Sequence, residues 1–411
     1  MEGNVKEIGD GLYNFQAVLE QEGSNLEEFI RSNYTDKWLS DEMYCVSAIR
    51  TTFVNAMTGF LIDEGLFNLE RINLSIITDP LAHDIEHTPA IPYKGYKYLT
   101  THSMIYSKFL ACANKKIKGI FVDSPNIRLE LASPVGEQRG KYLIDFSQLD
   151  IELRRNRNVT QDDYYHKTDS VLEILNEDMT IIKDFFERMI IRAIEAVNKK
   201  NQEHIKTLGV VIEVPSRGFP SYNKEEAVKK YGARHFEEKL GEETKSQFFW
   251  ITGLIRENYD LIYPYLNADG SRVELDKAKS ANIFNYDIVA KSIDAGTGKH
   301  SPAREILSGA IREWLYEPII RRILDNKVLP REPVFKNGNI VNINELGGYG
   351  PFLQFANMKD KAGNALFPDT MGGGVGIERT LFTLLKGEKI KKIEDVTYFG
   401  KNPDSHPLYL Y

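Results

Sequence analysis

Cysteine is almost absent. Cys45 and Cys112 are the only two in 411 residues, far apart and each in apolar surroundings (MYCVSAI, LACANK). Two such residues cannot build a disulfide framework, and without a C-x-x-C pair they cannot build a thiolate zinc site; they read as buried free thiols of a reducing compartment. No apolar run approaches the ~20 residues that span a bilayer, and the N-terminus MEGNVKEIGDGLYNF carries no apolar signal core, so the expectation is a soluble cytoplasmic chain with no membrane partner. An excess of positive charge is also missing. Lys and Arg total 52 against 59 Asp and Glu, a formal charge of −7, which makes a large nucleic-acid footprint unlikely on charge grounds. A G-x-S-x-G nucleophile elbow does not occur. Ala295–Ser301 (AGTGKHS) has His300 where a phosphate loop needs Ser or Thr, and His83–His87 (HDIEH) lacks the glutamate order of a zinc protease helix.

What is present is a globular mixture of helices and strands. Ile49, Phe53, Met57 and Leu61 recur at helical spacing, as do Val171, Leu175, Met179, Ile182, Phe186, Ile190, Ile194 and Val197. Thr100–Ala113 also reads as helix, and Ser170 with Glu173 forms a capping-box pattern. Strand-like pieces lie between them: GIFVDSPNIRLELA, KYLIDFSQLDIEL, TLGVVIEV, KSQFFWIT and FNYDIVA. They do not alternate with helices in βαβ fashion, so the expected class is α+β, a mostly antiparallel sheet flanked by helices. Residues 1–45 read as a helical extension, and 264–283 and 291–303 as polar insertions.

Three stretches carry candidate chemistry. If NIRLEL and YLIDFSQLDIEL are paired strands, side-chain alternation gathers Asn126, Arg128 and Glu130 with Phe146, Gln148, Asp150 and Glu152. That face is a poor core: it is either a solvated surface or a polar pocket in which an aromatic meets a base and an arginine meets a phosphate. REILSGAIREW offers Ser308 and Gly309, small enough for close ligand approach, between Glu305 and Arg312; an amphipathic surface helix fits the pattern equally. Finally, FPDTMGGGVGIERTLFTLL places four glycines, Gly374 and Gly376 among them, before Arg379 and an apolar helix, without the GK[ST] of a phosphate loop.

Together these residues resemble the catalytic domain of class II aminoacyl-tRNA synthetases, in the aspartyl/asparaginyl branch. NIRLE with DFSQLDIE resembles that family's second motif, REILSGAIRE its substrate and metal segment, GGGVGIER its third motif and KIEDVTYF the short strand after it, in order from about residue 46 to 400. LSIITDPLAHD, LTTHSMI, SPNIRLE, FFWITGLIRENYD and REILSGAIREW further resemble the archaeal-type asparagine synthetases related to asparaginyl-tRNA synthetase, and TMGGGVGIER is similar to the end of the ammonia-dependent asparagine synthetases. In two places the sequence departs from the family pattern: Ile72 stands where the first motif has proline, and Tyr142 where the second usually has histidine.

The resemblance implies an adenylating domain over 46–411 with no anticodon-binding domain, ATP and Mg²⁺ as cofactors, and a homodimer. By position it implies that Arg128 holds the α-phosphate, Glu130 the adenine amino group and Phe146 the adenine ring, with Arg379 on the other side of the ring or on the terminal phosphates and Gly374 and Gly376 beneath the nucleotide. Glu305 would ligate Mg²⁺ with Asp287. Arg312 would grip a carboxylate of aspartate, Asp150 its ammonium, and Gln148, Ser308 and Gly309 would line the pocket. The implied activity is an aspartate–ammonia ligase that releases AMP. Transfer of the activated acid to another amine, a minimal tRNA-charging enzyme and a regulatory paralogue stand as alternatives.

Overall fold

The structure, a computed structural model, describes residues 7–9, 12–13, 19–20, 23–64, 69–73, 88–101, 105–129, 142–155, 157, 159–254, 258–273, 282–361 and 363–400. Glu130, the HDIEH segment and the whole of LSIITDPLAHD lie outside the described residues.

Eight strands form one sheet: β1 (Glu70–Arg71), β2 (Gly119–Ile127), β3 (Asp145–Arg154), β4 (Ser221–Asn223), β5 (Phe248–Thr252), β6 (Asn285–Ala290), β7 (Arg304–Ile311) and β8 (Thr370–Gly376). Their spatial order is β1-β2-β3-β8-β7-β6-β5-β4. Only the two outermost pairings, β1 with β2 and β4 with β5, are parallel. The fold is therefore α+β with a mostly antiparallel sheet, as the pattern predicts. Ile72 directly follows β1 and donates its N–H to Phe121 O at 3.0 Å.

Side-chain alternation divides the sheet into two unlike faces. One carries Leu149, Ile151, Leu153, Leu307, Ile311, Tyr286, Ile288 and Trp250, all essentially inaccessible to solvent. It is covered by α1 (Asp41–Gly59) and above all by α3 (Thr168–Lys200), whose 33 residues reach about 50 Å. Val171, Leu175, Ile182, Phe186, Ile190, Ile194 and Val197 of α3 are buried as their spacing predicts, each contributing about 1.5–3 kcal/mol. The Ser170–Glu173 capping box does not form. A short helix, Gln161–His166, takes the reciprocal cap from Thr160 and Asp163 instead, and α3 starts just after it at Thr168. Asp41–Asp63 is long and apolar enough by composition to cross a membrane, with mean hydropathy 1.3, but here its row Met43, Val46, Ile49, Phe53 and Met57 is buried in the core. Cys45 and Cys112 are buried free thiols, and burial pushes the Cys112 thiol well up.

The other face is polar in its middle. At one edge it is covered by α2 (Ile105–Ala111); α4 (Lys224–Tyr231), α5 (Phe236–Glu243), α6 (Tyr316–Asp325) and α7 (Tyr349–Asn357) follow in the chain, whereas the last helix, α8 (Ile377–Leu385), packs Leu381, Leu384 and Leu385 against Ile49 and Phe53 of α1 and Ile194 and Val197 of α3. Tyr106 and Phe109 of α2 meet Phe352, Phe367 and Tyr259 edge to face, with Tyr106 and Phe352 centroids 4.7 Å apart. At the other edge Ala227, Phe236 and Leu240 of α4 and α5 close over Phe249, Ile251 and Val289. Two expectations change. Glu7–Gly9 and Leu12–Tyr13 form a small antiparallel pair where helix was expected. The polar stretch 291–303 is tied into the domain: Lys291 and Ser292 are buried, and Ile293–Asp294 pairs with Val210–Val211.

Candidate active site

The polar face is assembled by register. Cα partners run Val122–Asp150–Gly374–Ser308–Asp287 across five strands. The next row is Ser124–Gln148–Gly376, and on the other side lies Glu152–Gly372–Ala310–Asn285. Residues from five of the quoted stretches thus share one surface, with alternate glycines of β8 as its floor. REILSGAI is strand, not the surface helix its charges also allowed.

The glycines serve different neighbours. A Cβ on Gly374 would lie 1.8 Å from Gln148 Nε2 and 2.9 Å from Asp150 Oδ1, and a Cβ on Gly372 would lie 2.2 Å from Ile151 O. Gly376 is roomier, its nearest neighbour being Arg379 Cβ at 3.7 Å. Gly309 faces the other way: its Cβ would meet the Tyr286 ring at 2.4 Å. Its lack of a side chain is explained by core packing, not by the amino-acid pocket for which it was singled out.

At one end of the floor, the Arg128 guanidinium lies 5.2 Å from the centroid of Phe146. Gln148 Oε1 accepts from Asn126 Nδ2 at 3.2 Å. Asp150 is buried; its Oδ1 accepts from Lys108 Nζ at 2.6 Å, and its Oδ2 is buried without a partner. A buried carboxylate oxygen left open is costly unless something arrives to fill it. At the other end Arg379, on the first turn of α8, donates to Glu305 Oε1 at 3.2 Å and lies 5.4 Å from the Tyr142 ring centroid. Its helix is fixed by Glu378, which accepts from Arg50 Nη1 at 2.7 Å and Ser147 N at 2.8 Å. Glu305 pairs in register with Val289, two residues along β6 from Asp287, so both carboxylates lie on this face despite the sequence between them.

Arg312 departs most from expectation. It is buried, donating to Glu152 Oε1 at 3.2 Å, Asp260 Oδ1 at 3.0 Å and Gly372 O at 3.2 Å, with the Phe109 and Tyr259 ring centroids at 5.6 and 5.4 Å. Burial opposes its charge, and the Glu152 and Asp260 carboxylates more than reverse that, so its pKa rises above the ordinary arginine value. A guanidinium held from three sides is not the open clamp for a substrate carboxylate that its place in REILSGAIRE suggests. Reading the sequence missed Lys108, Glu152 and Asp260 as partners. The available signal was a lysine and two acids set among large apolar residues, which are almost never buried unpaired.

No protein-family model and no curated protein matches the chain. Solved structures do. Asparaginyl-tRNA synthetase from Pyrococcus horikoshii, complexed with asparaginyl-adenylate, superposes with TM-score 0.63 at 15% identity, over 99% of this chain and 76% of that one. Asparaginyl-tRNA synthetase from Entamoeba histolytica with asparaginyl-adenylate gives TM-score 0.57 at 16% identity, over 98% and 73%. Aspartyl-tRNA synthetase from Entamoeba histolytica gives 0.55 at 15%, over 98% and 65%. At these identities the likeness establishes the fold: the chain has the class II aminoacyl-tRNA-synthetase-like architecture.

Proposed function

We propose that the chain is an ATP-dependent ligase that adenylates an amino acid, most specifically the side-chain carboxylate of aspartate, and amidates it with ammonia. One observation carries this reading: Arg128 with Phe146, Asp150 with its open Oδ2, and Arg379 with Glu305 stand on one glycine-floored face of a class II-like sheet. Two of the solved structures that share the fold hold an aminoacyl-adenylate.

A free carboxylate is a poor acylating agent, and adenylation gives it a leaving group. Its oxygen attacks the α-phosphorus of ATP, the bond to the bridging oxygen breaks and pyrophosphate departs. Catalysis of this step is positioning and charge stabilisation more than covalent help from the protein. Phe146 would hold the adenine ring, with Glu130 at its amino group, and Arg128 the α-phosphate. Gly376 leaves space for the nucleotide against the backbone, Gly374 would join it beneath the nucleotide with Gln148 moved aside, and Arg379 would meet the far end. Asp150 Oδ2 would accept the substrate ammonium, beside Gln148 and Ser308. Arg312, held by Glu152 and Asp260, would set the charge at the pocket end as a positioning residue. Ammonia then attacks the acyl carbon, AMP leaves with the bonding pair, and the extra proton of the nitrogen passes to solvent. Mg²⁺ suits the site, since Glu305 and Asp287 are two carboxylates on one face and this ion keeps waters and phosphates as its other ligands; bound there, it would neutralise phosphate charge. The same reading places the enzyme in the cytoplasm as a homodimer without a nucleic-acid partner.

The test is incubation with ATP, Mg²⁺, aspartate and ammonium, followed by assay of AMP and asparagine. Formation of both supports the proposal. AMP without asparagine, with a different amine consumed, favours a related amide ligase; charging of tRNA favours a minimal synthetase. No ATP turnover with any amino acid rejects the ligase reading.

A further inference from the structure

We propose that a second cavity, on the opposite side of the sheet from the glycine-floored face, is a binding site for a small organic carboxylate with an apolar body, and that Lys183 and Ser221 hold its carboxylate. The site is independent of the adenylating one, since none of its residues lies on the glycine-floored face.

The cavity has a volume of about 760 Å³ and lies between α3 and the β4–β5 edge of the sheet. That is the size of a pocket for a small organic molecule. Ser221 is the register partner of Trp250, which belongs to the apolar face, so strand alternation turns Ser221 toward α3. Lys183 reaches from α3 to meet it. Its Nζ donates to Ser221 Oγ at 3.0 Å and lies 5.3 Å from the Trp250 ring centroid. Lys183 is the anomaly. It is half-buried, yet among the described residues it forms no ion pair, and a neutral hydroxyl is its one acceptor. Burial lowers its pKa from the ordinary lysine value, and Glu187 offsets that only in part. A charge drawn away from water with donors to spare is costly, and an arriving anion removes that cost.

The acids of the cavity are already committed. Glu187 accepts from Gly218 N at 2.5 Å, Phe219 N at 3.0 Å and Trp250 Nε1 at 2.7 Å. Asp184 accepts from Arg217, whose side chain is largely exposed. What remains is donors. Lys183 keeps spare N–H groups. Ser221 Oγ accepts from the lysine and bonds to nothing else among the described residues, so its own hydrogen is free to donate. Two donors side by side match the two oxygens of one carboxylate. A phosphate asks for more donors than this, and Arg217, which could supply them, is held by Asp184. Met179, Phe219, Ile283 and Phe284 supply an apolar wall. A charged anchor beside an apolar wall selects a carboxylate carried on a hydrocarbon or aromatic body over a free inorganic anion.

The experiment is calorimetric titration of the full chain with 2-naphthoate and, separately, with 2-naphthamide, which has the same body without the charge. The wild type should bind the carboxylate about 10- to 100-fold more tightly than the amide, the range for a charged hydrogen bond. Lys183→Met should bring naphthoate down to the level of the amide and leave the amide unchanged. Lys183→Arg keeps a cation and should retain most of the binding. Ser221→Ala should give a smaller loss, confined to naphthoate, and carries the test if the methionine variant does not fold. Equal affinity of the wild type for the two compounds overturns the proposal, because apolar surface alone then accounts for binding. Unchanged naphthoate affinity in Lys183→Met overturns it as well, as does an equal loss of both compounds, which would mark Lys183 as structural. Failure of naphthoate to bind the wild type at millimolar concentration rejects the site outright.

Discussion

At the scale of single residues, charge out of reach of water is the dominant theme. Arg312, Glu152 and Asp260 balance one another in the interior, so removing the arginine leaves two buried carboxylates uncompensated. Arg312→Ala should therefore cost about 3–5 kcal/mol of stability, measured by urea unfolding; in a Glu152→Gln, Asp260→Asn background the same change should cost less than half of that. A loss under about 1 kcal/mol in the wild-type background would show that the network is not what holds this arginine inside. Glu313 makes a pH prediction. Burial pushes its carboxyl from 4.5 up to about 7, although it accepts from Trp314 N, Leu315 N and Tyr164 Oη. Asp369 is pushed from 3.8 up to about 6, again by burial, with Arg155 opposing. An acid whose folded pKa exceeds its unfolded value binds more protons when folded, so its contribution to stability falls as pH rises between the two values. Between about 4.5 and about 7, the melting temperature should carry a component that falls with pH, and Glu313→Gln should flatten it. A pH profile identical to wild type would contradict the assignment.

At the scale of elements, β8 shows how one glycine run meets several demands. The backbone of β3 lies in the way of a side chain on Gly372, a movable glutamine in the way of one on Gly374, and nothing close in the way of one on Gly376. Gly372→Ala should destabilise most, by about 1–3 kcal/mol or more from overpacking. Gly374→Ala should spare most of the stability but reduce ATP affinity by displacing Gln148 over the floor, and Gly376→Ala should stay within about 0.5 kcal/mol of wild type. Melting curves and ATP titration of the three variants read this order directly, and a different ranking would mean that the floor is not where the ligand sits. The run was legible in the sequence as a close-approach segment, and the alternation of β3 was legible as one apolar and one polar face. Two things were not. A short apolar piece such as Arg304–Ile311 satisfies strand and helix alike until its neighbours are known. The pairs that define the pocket join residues 42, 52 and 160 positions apart, Lys108 with Asp150, Asp260 with Arg312 and Glu152 with Arg312, and no local pattern encodes such contacts.

At the scale of the whole molecule, the polar face is held between units of unequal strength. The main cluster runs through α1, α3, α8 and the apolar side of the sheet, whereas α4 and α5 rest on a small cluster with Phe249, Ile251 and Val289. The end of α5 is held by one buried cation: Lys291 Nζ donates to Gly241 O at 2.6 Å and to Thr244 O, where a positive charge complements the last carbonyls of the helix. Few buried contacts make for low local opening energy, so amides of Phe236–Glu243 should exchange with solvent well before those of Thr168–Lys200. Lys291→Met removes charged hydrogen bonds worth about 1.5–3 kcal/mol, which should speed exchange in α5 by roughly 10- to 100-fold and leave the buried turns of α3 unchanged. If α3 accelerates equally, the molecule opens as one unit and α5 has no separate stability.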